Sequence, residues 1–137
     1  MRLGFLILTD YSEAINGKAY VIGGGWNMLR FSELPTQHSF GIAFAIDVPW
    51  DETNEPHTLR LEIQDPDGER LGDELQFEFE TGRPPGSVQG QDQRIVLSLN
   101  ASIEFSTSGP HAVVMHDGEA EIGRSRFYVV EGAQVTG

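Results

Sequence analysis

Large apolar residues alternate with small or polar ones in several short segments of the chain. The clearest segment spans residues 40–46, where Phe, Ile, Phe and Ile at the even positions alternate with Gly41, Ala43 and Ala45. A period of two is that of a β-strand. The same alternation recurs over residues 59–63 and 75–79, whereas residues 3–8 are apolar at nearly every position and indicate a central strand.

Turn-forming residues separate these segments. Asp65-Pro66-Asp67-Gly68 offers a proline for the first central position and a glycine that tolerates positive φ, so it predicts a hairpin turn. Residues 10–18 also carry turn chemistry and are predicted to lead into a strand at residues 19–22, followed by a bend at the glycines 23–25. Residues 82–93 are polar and aperiodic, and predict the longest irregular stretch.

No segment of helical length shows a period of 3.6 residues, and short strands recur with turns between them. This arrangement is typical of an all-β fold, an antiparallel two-sheet β-sandwich. The chain of 137 residues has the size of one domain, so a single β-sandwich domain is expected over residues 1–137.

The formal net charge is −12, from 21 acidic and 9 basic residues. Such a field repels nucleic acid and anionic membranes, so neither is expected as a partner. The acidic residues serve solubility or attract a cation or a basic partner. The chain has no cysteine, and its N-terminal apolar run is too short for a signal peptide, so we expect a cytoplasmic protein.

The histidines and serines of the chain do not stand in recognisable catalytic or metal-binding motifs. The four histidines lack a metal-binding spacing, and no serine stands in a Gly-x-Ser-x-Gly context. We therefore expect no enzyme, no catalytic residue and no cofactor. A hydrolase whose site forms across loops is a weaker alternative, and it needs a pocket that joins a histidine to carboxylates.

Asp65, Asp67 and Glu69 resemble part of a calcium-binding loop. The segment lacks the remaining oxygen ligands at the required spacing, so an ordinary hairpin turn is the simpler interpretation. A calcium-dependent β-sandwich module stays open as an alternative.

Two groups of residues are candidates for contact with a partner. The small side chains Gly41, Ala43 and Ala45 leave space that either the second sheet or a crossing segment fills, or that a partner or a second copy of the chain covers. The aromatic residues Trp26, Trp50 and Tyr128 either contact a partner or cap the core.

Several short segments of the sequence resemble those of an uncharacterised family of small bacterial proteins, a domain of unknown function. They include Asp10-Tyr11 after the first strand, the glycines 23–25, and His57-x-Leu59-x-Leu61 leading to the turn at Asp65. The segment from Phe105 to Val129 is similar to the closing hairpin of immunoglobulin-like bacterial modules. The resemblance implies an immunoglobulin-like sandwich and brings no activity, ligand or catalytic residue.

The function expected from the sequence is therefore a non-catalytic binding or assembly module of the bacterial cytoplasm. Its partner would be another protein or further copies of the same chain in a homo-oligomer.

Overall fold

Nine β-strands make up most of the computed structural model, which describes residues 1–132. They are β1 (Arg2–Ile15), β2 (Lys18–Gly24), β3 (Met28–Phe31), β4 (Thr36–Val48), β5 (Pro56–Gln64), β6 (Arg70–Glu80), β7 (Gln93–Phe105), β8 (Gly109–Asp117) and β9 (Ala120–Glu131). A single turn of 3-10 helix, Trp50–Glu52, stands between β4 and β5. None of the described residues belongs to a helix with the length and apolarity needed to cross a lipid bilayer.

The strands form two sheets, one with the order β2-β1-β4-β7 and one with the order β3-β9-β8-β5-β6. β3 and β9 pair in parallel, and the other described pairs are antiparallel. In immunoglobulin domains strands A, B and E lie in one sheet and C, F and G in the other, which variable types extend by C′. In this chain the positions of A, B and E are taken by β1, β4 and β7. The positions of C, F and G are taken by β5, β8 and β9, and that of C′ by β6. The predicted immunoglobulin-like sandwich is thus confirmed. The last five residues of the predicted domain, 133–137, lie outside the described residues.

The core lies between the two sheets and is built from the alternating apolar positions. The four large residues at the even positions of 40–46 are at most 1% exposed, as are Leu59, Leu61, Val113 and Met115. Rings at one end of the core pack against one another, with Phe127 6.1 Å from both Phe40 and Phe105 between ring centroids. Burial of these side chains is the main favourable contribution to folding.

One local prediction is wrong. Residues 10–15 do not form a turn, because β1 continues as a strand to Ile15 and only Asn16 and Gly17 form the turn to β2. Both turn residues have positive φ, at 51° and 74°, as a two-residue hairpin turn of type I′ requires. The polar residue inside this stretch, Ser12, is 1% exposed and takes part in a tertiary contact that sequence propensity does not reveal.

Candidate interaction surface

The second half of β1 leaves β4 and crosses over it. β1 pairs with β4 as far as Thr9 opposite Gly41, and with β2 from Thr9 opposite Gly24 to Ile15 opposite Lys18. A Cβ atom at Gly41 would lie 2.3 Å from Thr9 Oγ1 and 2.9 Å from Ser12 Oγ. Gly41 is therefore the point at which β1 passes over β4, and glycine is needed there for the close approach.

Asn100 of β7 holds the crossing strand in place. Its side-chain Oδ1 accepts a hydrogen bond from Ser12 N at 3.3 Å, and its Nδ2 donates one to Ser12 O at 3.0 Å. The Ser12 and Ser98 hydroxyls share a further bond of 2.8 Å. The amide of Asn100 thus takes the place of a neighbouring strand for Ser12, whose backbone groups would otherwise be buried without partners.

These contacts show what covers the small side chains on one face of β4. Gly41 is buried, and Ala43 and Ala45 are fully buried between larger neighbours on β1 and β7. The crossing strand fills the space at Gly41. Of the two alternatives predicted for Gly41, Ala43 and Ala45, coverage by other parts of the same chain agrees with this burial, and a face exposed to a partner or a second copy does not.

Exposed apolar residues are concentrated on the hairpin of β1 and β2. Eight large hydrophobic residues of the described chain are exposed, and five of them lie within residues 11–22: Tyr11, Ile15, Tyr20, Val21 and Ile22. We call these five residues the hairpin patch. Their exposed fractions run from 39% at Val21 to 66% at Ile22. Single exposed apolar residues are ordinary, but a contiguous group marks an interaction site.

The strand register explains why these side chains gather. Tyr11 lies opposite Ile22 and Glu13 lies opposite Tyr20, so the four residues share one face of the hairpin. The Tyr11 hydroxyl donates a hydrogen bond of 2.5 Å to the Glu13 carboxylate, which raises the pKa of Tyr11 because the phenol must stay protonated to donate. Tyr11, Tyr20 and Ile22 also line a shallow concavity with Glu13 and Val21.

Sequence reasoning missed this surface because it treated residues 10–18 as a turn. Tyr11, Glu13 and Ile15 alternate with smaller residues, as Tyr20 and Ile22 do on the other strand. That alternation around Asn16-Gly17 is a hairpin signal and would have placed the side chains on one face.

Trp26 lies at the end of the core. It is half-buried and makes edge contacts with Phe40 and Phe127, with ring centroids 5.9 and 6.1 Å apart. Its indole Nε1 is buried and has no hydrogen-bond partner among the described residues. Of the two interpretations, these contacts fit the role of a core cap.

The Trp50 ring stacks against the guanidinium group of Arg83. The Arg83 guanidinium carbon is 3.9 Å from the ring centroid, and Arg83 Nη2 donates to the Trp50 carbonyl at 2.6 Å. Arg83 Nε also donates to the Thr53 hydroxyl at 2.7 Å. Arg83 therefore joins the loop after β6 to the 3-10 turn and covers one face of Trp50.

Tyr128 lies on the outer face of the five-stranded sheet. It is 49% exposed and pairs with Met28, which is 48% exposed, on the neighbouring parallel strand. These two side chains form a second, smaller apolar surface on the five-stranded sheet, whereas the hairpin belongs to the four-stranded sheet. Trp26, Trp50 and Tyr128 thus lie in three different settings, and the structure does not bring them together.

The carboxylate of Asp65 is used by its own turn. Its Oδ1 accepts hydrogen bonds of 2.9 Å from both Asp67 N and Glu69 N, and Gly68 N donates to the Asp65 carbonyl at 3.0 Å. This is the hairpin turn predicted from the Asp-Pro-Asp-Gly sequence. Within residues 1–132 no three metal-ligating side chains are grouped as an ion would require.

Changing Asp65 to alanine should lower the free energy of unfolding by about 1 kcal/mol, because two backbone N–H groups lose their acceptor. Asp67→Ala is the matched control, since no hydrogen bond of the turn depends on that side chain, and it should change stability much less. Chemical denaturation measures both variants. Millimolar calcium should leave the Tm of the unmodified chain unchanged, whereas a clear rise in Tm would support the calcium-dependent module.

Two histidines lie near groups relevant to the hydrolase alternative. His116 Nε2 is 3.5 Å from Glu62 Oε1 on the outer face of the five-stranded sheet. His111 is 2% exposed and packs between Phe105 and Phe127, with Nδ1 2.9 Å from the Gly109 carbonyl. The first is a contact between two half-buried side chains. His111 is a core residue that also lines a pocket of about 190 Å³ together with Asp65, Arg124 and Arg126.

A cavity of about 310 Å³ opens between β7 and the strands β5 and β6. Aliphatic side chains form much of its wall, among them Ile42, Leu61, Leu75 and Leu99, and Glu62 and Asp73 also line it. The five residues of the hairpin patch are not among those that line it.

Two solved structures are among those to which the chain is similar. It is similar to an immunoglobulin-like protein from Pseudomonas aeruginosa, with a TM-score of 0.42, 16% identity, and coverage of 93% of this chain and 94% of the other. It is also similar to the alkylpurine DNA glycosylase AlkC of Pseudomonas fluorescens bound to DNA containing an abasic site analog, with a TM-score of 0.43 and 10% identity. That match covers 91% of this chain but only 30% of the glycosylase.

Likeness at these scores and identities says nothing about activity. No curated protein matches the chain. The model of a family of unknown function, DUF6941, matches residues 4–130, and the chain therefore belongs to that family.

Proposed function

We propose that the chain is a non-catalytic binding or assembly module of the bacterial cytoplasm, and that the hairpin patch is its contact surface. One observation carries the proposal, namely that five of the eight exposed large hydrophobic residues of the described chain lie on one hairpin. Covering that surface with a protein partner would remove apolar area from water, at about 25 cal/mol per Å².

The composition of the patch supports a protein partner. Tyrosine supplies a large apolar ring with a polar tip and loses little conformational entropy when it is fixed, which is why it is enriched at protein interfaces. Tyr11 and Tyr20 lie beside Ile15 and Ile22 on one face. The hairpin also rests on a rigid base, because Asn100 and Ser98 bind Ser12 on its other side.

Photo-crosslinking in the native host tests the proposal. A photoreactive benzoylphenylalanine replaces Tyr20, which is 53% exposed, and irradiation should give an adduct of higher mass. Val88 is the matched control position, because it is 69% exposed but lies in the irregular loop before β7. Position 88 should give little or no adduct.

An adduct at position 20 that is absent at position 88 supports contact through the hairpin patch, whether the captured chain is foreign or a second copy. Equal adduct formation at both positions, or none at position 20, would refute the hairpin as the contact surface.

A further inference from the structure

The two sheets have four end strands, and these differ in how they are protected against pairing with another chain. β6 carries acidic residues at Asp73, Glu74, Glu78 and Glu80, and β3 is only four residues long. β7 carries charges near its two ends, at Arg94 and Glu104, and its Asn100 side chain binds the crossing strand β1. Charged residues and short length are the usual devices that protect an edge strand.

β2 lacks these devices over most of its length. Its sequence from Ala19 to Gly23 contains no charged residue and no proline, and three of its residues belong to the hairpin patch. Lys18 at the start of the strand is its one charge. An exposed apolar edge of this kind pairs readily with another strand.

The hydrogen bonds of Ser12 on β1 show in which direction the N–H and C=O groups of the opposite residue on β2 point. Ser12 bonds Asn100 on the side away from β2, so its N–H and C=O do not point towards Val21, the residue directly opposite. Opposite residues in an antiparallel pair either exchange both hydrogen bonds or neither. The N–H and C=O of Val21 therefore point outwards, to the open edge of the sheet.

Charge decides which strand would bind there. The whole chain carries −12, but residues 11–25 contain one acid, Glu13, and one base, Lys18, and are neutral. Two copies can approach each other through this neutral segment without the repulsion that their acidic surfaces would otherwise cause. The neutrality favours a second copy over a basic partner, which would seek the acidic surfaces.

Building on the proposed function, we infer that the hairpin patch binds a second copy of this chain through antiparallel pairing of the two β2 edges, with Val21 at the twofold axis. Val21 then exchanges two backbone hydrogen bonds with Val21 of the other copy. The same register brings Tyr20 opposite Ile22 of the other copy, and Ile22 opposite its Tyr20. A twofold contact is self-complementary in this way, and the two four-stranded sheets become one continuous sheet.

The first test compares the molecular mass in solution of the unmodified chain with that of a variant that carries a charge in the hairpin patch. Light scattering over a concentration series should give twice the chain mass of 15.1 kDa for the unmodified protein. Ile22→Glu should shift the mass to that of one chain, because each carboxylate would replace an apolar side chain that packs against Tyr20 of the other copy and would be partly desolvated there. Val88→Glu is the control with the same charge change at a residue of similar exposure, 69% against 66%, and it should stay dimeric.

A single cysteine tests the register, since the chain has none of its own. Across the twofold axis the Cα atoms at position 21 would lie about 5.5 Å apart, within the range of a disulfide. Val21→Cys should therefore oxidise rapidly to a covalent dimer. Ala19→Cys lies on the same edge but two residues from the axis, so it should cross-link far more slowly.

A chain that stays monomeric at every concentration would overturn the inference, and so would a dimer that Ile22→Glu leaves intact. A dimer that is lost in Ile22→Glu but cross-links equally well at positions 19 and 21 would overturn the register. A monomer whose Tyr20 position captures a foreign protein would leave the proposed function standing without the second copy. Failure to capture any chain at Tyr20 would overturn both.

Discussion

Gly41→Ala should lower the free energy of unfolding by about 3 kcal/mol, although it adds only one methyl group. The new Cβ would lie 2.3 Å from Thr9 Oγ1, 2.8 Å from Asn100 Oδ1 and 2.9 Å from Ser12 Oγ. None of these atoms can withdraw freely, because Thr9 and Ser12 are buried on the crossing strand and the Asn100 amide is held by the backbone of Ser12. The strand β1 must therefore move, or its hydrogen bonds must break.

Denaturation in urea measures the change, and Gly82→Ala is the matched control. A Cβ at Gly82 would find Asn54 Oδ1 at 3.6 Å, an ordinary contact distance, so this variant should change stability by less than about 0.5 kcal/mol. If both variants were equally stable, the close passage of β1 over β4 would be contradicted. Since the hairpin patch is carried by the crossing strand, Gly41→Ala should also weaken binding at the patch.

Phe127→Ala is the other change with a large expected effect, a loss of about 4 kcal/mol in the free energy of unfolding. The Phe127 ring is fully buried and contacts the rings of Trp26, Phe40, Phe105 and His111. Removing it leaves a cavity at the place where both sheets meet, and the surrounding rings are too rigid to fill it. Such a loss is a large part of the stability of an ordinary domain.

The adjacent residue supplies the control. Tyr128 is 49% exposed on the opposite face of the same strand, so Tyr128→Ala should cost about 1 kcal/mol or less. Urea denaturation of the two variants compares the faces directly. Equal losses would mean that β9 does not present alternate residues to the core and to solvent.

The period of hydrophobic residues was sufficient to predict most of the strands and the core between the sheets. The even positions of residues 40–48 and the odd positions of residues 59–63 are buried as their alternation predicts, since successive residues of a strand point to opposite faces. Asp65-Pro66-Asp67-Gly68 likewise determined a turn locally, because its hydrogen bonds join residues at most four positions apart. These features need no information from distant parts of the chain.

What covers the small face of β4 was decided by tertiary structure alone. From the sequence Ser12 is predicted to lie in a turn. In the structure it is buried, and Asn100, 88 positions away, supplies the hydrogen bonds that its backbone needs. The same crossing buries Gly41 and leaves Tyr20 and Ile22 on the outside. The hydrophobic pattern of the sequence determined which segments form strands. Which apolar residues of the hairpin reach solvent was decided by the path of β1 over β4. That path depends on contacts between strands far apart in the chain, which a local sequence pattern does not contain.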